Sequence, residues 1–180
     1  MIIGLSGKAR SGKGAVASRL TIMHGFVEVA FADKLKSCCK AIFRLTDNQL
    51  YGDAKDIEDS FWEDTPRNIL QKVGTECLRM GYRGDVWIKA LEREIHANPG
   101  VNFVVSDCRF PNELEAIKAW GGKLVRIERP GGPQIETGQH ASEVACDAWT
   151  AWDYAIVNGS TLPVLYQSVD TMMSVMRGSL

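Results

Sequence analysis

Met1 to Leu5 is a short apolar run that passes directly into Gly7-Lys8-Ala9-Arg10-Ser11-Gly12-Lys13, and beyond it Val16, Leu20 and Met23 recur at helical spacing. The chain therefore leaves a strand, turns through a glycine-rich loop of the pattern G-x-x-x-x-G-K and restarts as a helix. In that context glycines let backbone N–H groups curl around an anion, the helix N-terminus adds its positive dipole end, and Lys13 reaches the outer phosphates. Gly7, Lys8, Ala9, Arg10, Ser11, Gly12, Lys13, Gly14 and Ala15 are accordingly the candidate phosphate-binding residues. The alternative, a plain glycine-rich turn, seldom falls on a strand-to-helix junction.

One position departs from the pattern. Gly14 stands where such loops usually carry the hydroxyl that touches magnesium, and neither it nor Ala15 can coordinate a metal. The departure questions metal geometry more than nucleotide binding, because magnesium retains several waters and is held in part by the phosphates themselves. Ser11 offers a hydroxyl nearby, but no side chain is assigned as a metal ligand.

Strand and helix signals alternate along the rest of the chain. Phe26 to Phe31 reads as a strand, Ala32 to Phe43 as a helix, and Thr46 to Asp64 as an acidic surface excursion. Thr65-Pro66 opens a further helix, with threonine able to cap and proline tolerated at the first position. Asp85 to His96 is another helix, stopped by Asn98-Pro99-Gly100. Val101 to Asp107 is the clearest buried strand and carries an aspartate at its end; Asn112 to Trp120 is a helix and Lys123 to Ile127 a strand. Gly131 to Gln139 reads as a flexible loop, Ala141 to Ala148 as a short helix, Asp153 to Val157 as the last strand and Thr161 to Met176 as the last helix. The expected architecture is a three-layer α/β/α P-loop NTPase fold with a mostly parallel central sheet and a flexible lid. The 180 residues show no internal repeat and no linker, so a single domain is expected.

Composition narrows the partners. The formal charge of −1 lacks the basic excess of a protein that binds nucleic acid polymers, so a small anion held by a local site is the natural ligand. The five cysteines form no C-x-x-C pair, which disfavours both a disulfide framework and a zinc site. Met1 to Leu5 is too short for a signal-peptide core, and no apolar run reaches membrane-spanning length; a cytoplasmic protein with no membrane partner is expected.

Three clusters bear on what receives the phosphate. In Thr65-Pro66-Arg67-Asn68-Ile69-Leu70-Gln71-Lys72-Val73-Gly74-Thr75-Glu76, Arg67 lies in the first turn of a helix and offers a fork for a phosphate dianion, although a solvated surface arginine is the commoner outcome for such a residue alone. In Ser106-Asp107-Cys108-Arg109-Phe110-Pro111-Asn112-Glu113, Asp107 and Arg109 emerge at the carboxyl end of a strand, where ligands of open parallel sheets gather; a capping aspartate with a structural ion pair is the competing account. The third cluster runs from Arg126-Ile127-Glu128-Arg129-Pro130-Gly131-Gly132 to His140-Ala141-Ser142-Glu143, a flap on whose shoulder Arg129 is placed to stabilise a transferring phosphoryl group. His140 and Glu143 are expected to anchor the flap.

The ordered set GLSGKARSGKG, FADKLK, TPRNILQKVGTE, VWIKAL, SDCRFPNELEAIKAWGG, RIERPG, HASE and DYAIVNGS resembles the bacteriophage-type deoxynucleoside monophosphate kinases over nearly the whole chain. The resemblance implies transfer of the ATP γ-phosphate to a deoxynucleoside 5′-monophosphate, with Mg2+, in the host cytoplasm if the gene is a phage's. It places Lys8, Arg10, Gly12, Lys13 and Gly14 on the ATP side, and Lys36, Arg67, Gly74, Thr75, Trp87, Asp107 and Arg109 on the monophosphate side. Within VWIKAL, Trp87 becomes a wall for the substrate base; Asp33 either faces the sugar or caps its helix. Asn158-Gly159-Ser160 resembles a late turn near the ATP base, and a plain β-turn explains it equally well. The resemblance assigns about 32–96 to a helical monophosphate-binding region and about 129–143 to the lid, and it leaves a homodimer open. Between FADKLK and TPRN the chain is shorter than in larger phage members, which bears on base choice.

With Lys13, Arg67, Asp107, Arg109 and Arg129 as the catalytic candidates, no covalent intermediate is required, because the acceptor phosphate oxygen is itself the nucleophile. A dephospho-coenzyme A kinase-like activity and a non-catalytic nucleotide-binding regulator are the alternatives.

Overall fold

The computed structural model describes residues 1–131 and 145–178, which form two compact units, one of residues 1–30 and 97–180 and one of residues 31–96. The first is built on a five-stranded sheet of β1 (Ile2–Ser6), β2 (Phe26–Val29), β3 (Asn102–Val105), β4 (Lys123–Glu128) and β5 (Tyr154–Val157) in the order β2-β3-β1-β4-β5. Every pairing is parallel, with Gly4 opposite Val105, Ser6 opposite Arg126 and Ile127 opposite Ile156. All five strands therefore end on one edge of the sheet. The chain leaves β1 toward one side of the sheet and leaves β3 toward the other, the arrangement that opens a ligand site at the carboxyl edge.

Side chains alternate across a strand, so the two faces of β1 and β4 are covered by different helices. Ile3, Leu5, Val125 and Ile127 are buried with Val16, Ala17 and Leu20 of α1 (Lys13–His24) and with Leu165, Val169, Met172 and Met173 of the last helix, α7 (Leu162–Gly178). On the other face Gly4 lies against Leu124, Cys108 and Ile117, the last from α6 (Pro111–Ala119). Helix, sheet and helix make the three layers expected from the alternating pattern. Among the described residues no helix is long and apolar enough to cross a membrane.

The second unit is helical: α2 (Phe31–Phe43), α3 (Asp47–Tyr51), α4 (Pro66–Gln71), a π-helical run over Lys72–Met80, and α5 (Val86–Ala97), whose last residue lies in the first unit. Cys39, Leu45, Leu50 and Ile69 form its buried cluster, with Leu35, Phe43, Leu70 and Val73 packed around them. The stretch Thr46 to Asp64, expected as a surface excursion, instead holds α3 and a 3-10 turn at Asp53–Asp56. Thr46 and Gln49 close a reciprocal capping box, and Leu50 is buried. A five-residue helix is too short to show a periodic signature, which is why the pattern alone reads as irregular. Thr65 caps α4 through Asn68 N at 3.2 Å, with Pro66 at the first turn, as the sequence indicates. Of the expected helix Ala141 to Ala148, residues 141–144 lie outside the described residues, and 145–148 are a turn.

α1 and α7 are tied near the C-terminal end of α1. The Asp170 carboxylate accepts from Arg19 Nε at 3.0 Å and Nη2 at 2.5 Å, and pairs with His24 Nε2 at 2.8 Å. Hydrogen bonds from Arg19, then from His24, hold the Asp170 carboxyl down at about 2. A carboxylate with a lowered folded pKa stabilises the protein above its unfolded value and loses that contribution as pH falls toward the folded value. The group is partly exposed, so screening limits the contribution to about 1 kcal/mol. Asp170→Asn is expected to lower Tm by about 2–4 °C at neutral pH, with the gap to wild type narrowing as pH falls below about 4. Tm curves that coincide at neutral pH would show that the triad contributes nothing.

Candidate functional site

Between β1 and α1 the chain must reverse inside a small radius, and two glycines make this feasible. A Cβ on Gly7 would stand 2.3 Å from the Ile127 carbonyl oxygen and 2.7 Å from Ser11 Oγ, so only glycine lets the loop lie against the end of β4. Gly12, at φ 109°, adopts a left-handed conformation, and Arg10 does so at φ 60°. Lys13 Nζ donates to Gly7 O at 2.5 Å and Lys8 O at 2.9 Å, which keeps its ammonium at the loop rather than in bulk solvent. Ser11 N donates to Lys8 O at 3.2 Å, closing the turn. The N–H groups of Gly12 and Gly14 make no hydrogen bond among the described residues. Lys8, Ala9 and Arg10 are exposed, while Ala15 packs toward the core.

The loop's hydroxyl inventory bears on the metal. Ser11 is 3% exposed, and its Oγ, which has no hydrogen-bond partner among the described residues, lies beneath the loop beside Gly7. A Cβ on Gly14 would meet nothing within 4 Å, so the place of the usual coordinating hydroxyl is open space. Among the described residues no group of three or more His, Cys, Asp or Glu side chains is arranged to hold a cation. The loop therefore offers no exposed side-chain hydroxyl to a magnesium ion.

The segment after β3 is fixed by backbone bonds from Ser106 N to Val29 O and from Cys108 N to Leu5 O, which bring Asp107 to the same sheet edge as the loop. Asp107 is half-buried and Arg109 exposed. Glu113, 2% exposed, accepts from Arg109 N at 2.8 Å and Phe110 N at 3.1 Å, so its carboxylate holds the turn that presents Arg109. Burial, with Asp107 and Glu113 nearby, pushes the Cys108 thiol well above its ordinary range, which makes it a packing residue and not a nucleophile. At the end of β4, Arg129 is exposed and its Nη1 donates to Arg10 O at 3.3 Å. Beyond Gly131 the proposed lid, with His140 and Glu143, lies outside the described residues.

The remaining candidates belong to the helical unit. Arg67 forms a two-pronged pair with Asp56, Nε to Oδ1 at 2.5 Å and Nη2 to Oδ2 at 3.0 Å, and it holds the Asp56 carboxyl below the usual carboxylate range. Lys36 Nζ sits over the Tyr51 ring, 4.2 Å from its centroid. Asp33 is in the first turn of α2. Gly74 and Thr75 lie within the π-helical run, a rare winding frequent at functional sites. Trp87 is 8% exposed, and its Nε1 donates to Gly74 O at 3.0 Å, so the indole braces that run. Sequence reasoning passed over Asp56 and the buried Glu113. It also gave Asn158 no role at the loop, where its Nδ2 donates to Ser11 O at 2.9 Å. For Glu113 a signal exists, an acidic residue two positions after the helix-opening Pro111; for the other two, partners distant in sequence leave none.

No protein-family model matches the chain. A protein of Acanthamoeba polyphaga mimivirus, provisionally named deoxynucleotide monophosphate kinase, is 37% identical over 186 aligned residues, covering 94% of this chain and 94% of that protein. The deoxynucleotide monophosphate kinase of Enterobacteria phage T4 is 25% identical over 132 residues, 72% of this chain and 52% of that protein. Among solved structures, dephospho-CoA kinase from Campylobacter jejuni superposes with a TM-score of 0.54 over 96% of this chain and 95% of that one; at 15% identity it shows the fold alone.

The two ends of the loop make opposite demands, and alanine substitutions separate them. Gly14→Ala is expected to hold or raise stability by about 0.5–1 kcal/mol, since alanine replaces the flexible glycine within α1 where its methyl group meets open space. Gly7→Ala is expected to cost about 1–3 kcal/mol, because the loop must retreat from the Ile127 carbonyl, and to abolish binding of a fluorescent ATP analogue. Equal Tm values and equal analogue binding for the two variants would contradict this account of the loop.

Proposed function

The chain belongs to the deoxynucleotide monophosphate kinase family, and we propose that it moves the γ-phosphoryl group of MgATP onto the phosphate of a deoxynucleoside 5′-monophosphate. The acceptor's phosphate oxygen attacks the γ-phosphorus, the bond from that phosphorus to the β–γ bridging oxygen breaks, and ADP leaves with the electron pair. The products are ADP and the deoxynucleoside diphosphate. No side chain forms a bond to the substrate, so catalysis consists of positioning and charge stabilisation.

The observation that carries this reading is the Gly7–Lys13 loop at a helix start: the Gly12 and Gly14 N–H groups make no hydrogen bond among the described residues, and the Lys13 ammonium is held beside them at the loop. In the proposed assignment, residues 7–15 receive the phosphates of MgATP, with Lys13 drawn from the Gly7 and Lys8 carbonyls onto the outer phosphate. Magnesium would be held through the nucleotide's own phosphates and water and would neutralise phosphate charge there, in accord with the missing hydroxyl at Gly14. Arg129 and Arg109 stabilise charge on the transferring group, and Asp107 accepts a hydrogen bond from the acceptor substrate.

For the monophosphate we assign Arg67, Lys36, Asp33, Gly74, Thr75 and Trp87, with Trp87 acting through the π-helical run that it braces. The Arg67 fork already holds a carboxylate in the two-pronged geometry that a phosphate dianion uses, which supports its role as the phosphate anchor. Asp56 then occupies the anchor until the substrate displaces it.

A coupled assay of ADP release, run with each of the four deoxynucleoside monophosphates and with dephospho-coenzyme A, tests the reading. Turnover is expected with at least one monophosphate. Lys13→Ala is expected to lower kcat by roughly 100-fold or more while Tm stays within a degree or two. Full activity in that folded variant would refute the assignment. On the acceptor side, Arg67→Ala is expected to raise the monophosphate KM by about 10-fold or more, and Asp56→Asn to lower it by roughly 2- to 5-fold, the range of an exposed ion pair. A KM indifferent to both substitutions would remove Arg67 from the site.

A further inference from the structure

The peptide planes of the phosphate loop are held from behind by side chains at the ends of β4 and β5. Arg129 donates to the Arg10 carbonyl and Asn158 Nδ2 to the Ser11 carbonyl, two consecutive acceptors in the loop. The Asn158 contact is the better built. Its own backbone N–H donates to Glu128 O at 2.7 Å, so the residue is anchored to the sheet while its side chain reaches across 147 positions of sequence. The amide also fits closely against the neighbouring glycine: a Cβ on Gly12 would stand 2.6 Å from Asn158 Nδ2.

We infer that Asn158 is a positioning residue for the phosphate cradle, which fixes the Ser11–Gly12 peptide so that the Gly12 N–H is presented to the nucleotide's phosphates. A trans peptide is planar, and its C=O and N–H point in opposite directions. Once Asn158 binds the Ser11 carbonyl on one side, the Gly12 N–H must face the other. That N–H makes no hydrogen bond among the described residues. Gly12 is glycine at φ 109°, so without a restraint this peptide is free to rotate and present its carbonyl oxygen to an anion. A carbonyl aimed at a phosphate repels it, whereas the amide binds it, and preorganised donors of this kind contribute strongly to binding and transfer. Ser11 Oγ, buried beneath the loop and without a hydrogen-bond partner among the described residues, supplies no competing restraint there.

The inference rests on the kinase reading, and the experiment separates the two. Wild-type turnover of a monophosphate establishes the reading. Competition against MgATP by tripolyphosphate, which carries only the phosphates, and by adenosine, which carries only base and sugar, then locates the action of Asn158. For Asn158→Ala, the ATP KM and the tripolyphosphate inhibition constant are each expected to rise about 5- to 10-fold, the scale of one lost hydrogen bond to a positioned group. The adenosine inhibition constant and the monophosphate KM are expected to stay within twofold. Asn158→Asp, of the same shape but without the donor, carries the same expectation at neutral pH and serves if the alanine variant does not fold. Unchanged tripolyphosphate inhibition in a folded variant overturns the inference. So does a loss confined to adenosine, which would make Asn158 a contact to the base.

Discussion

At Gly7 the main chain passes so near the Ile127 carbonyl that a methyl group there would sit 2.3 Å from its oxygen. That approach depends on parallel pairing of β1 with β4, which brings the end of one strand beside the start of the loop leaving the other. Once the loop lies on this floor, the reversal into α1 has few solutions left. It takes left-handed turns at Arg10 and Gly12, and it aligns the first turn of a helix behind the space where an anion sits. The dipole of α1, the backbone donors and the Lys13 ammonium are then consequences of a chain path more than separate inventions.

A kinase of small phosphates has little chemistry to perform with its side chains, and this molecule reflects that. Its thiol at the sheet edge, Cys108, is buried with its ionisation suppressed, and Glu113, the one strongly buried carboxylate among the described residues, is spent on two backbone amides. Arg10, Arg109 and Arg129 are among the groups left exposed at that edge. In the helical unit the same logic recurs: Arg67 meets a carboxylate through both prongs of its fork, and Trp87 uses its ring nitrogen on a backbone carbonyl. Guanidinium groups, with a planar fork and a permanent charge, suit an acceptor whose oxygens are themselves the reacting atoms.

Much of the sheet was legible because buried parallel strands and amphipathic helices leave regular traces. Val101 to Asp107 announces a buried strand with a polar end, and the G-x-x-x-x-G-K spacing fixes both neighbours of the loop. What escaped was set by contact rather than period. The helix over Asp47–Tyr51 is too brief to oscillate, though Thr46 and Gln49 spell its cap. The wide winding of Lys72–Met80 contains the same apolar stripe an α-helix would have, and its backbone hydrogen bonds, which reach five residues back, distinguish it, with Trp87 bracing Gly74. Asn158 reads from sequence as a late turn near the ATP base or a plain β-turn, and its tie to the loop stays hidden because its partner is Ser11, at the opposite end of the chain.

The two long helices α1 and α7 start at the edge where the strands end and run back to the opposite edge, where Asp170, Arg19 and His24 join them. The phosphate-loop geometry is thereby set apart from a share of the fold's resistance to unfolding. Such a layout makes the two separable: the Arg19, His24 and Asp170 pairs can be rewritten for heat or acid without touching the Gly7–Lys13 loop.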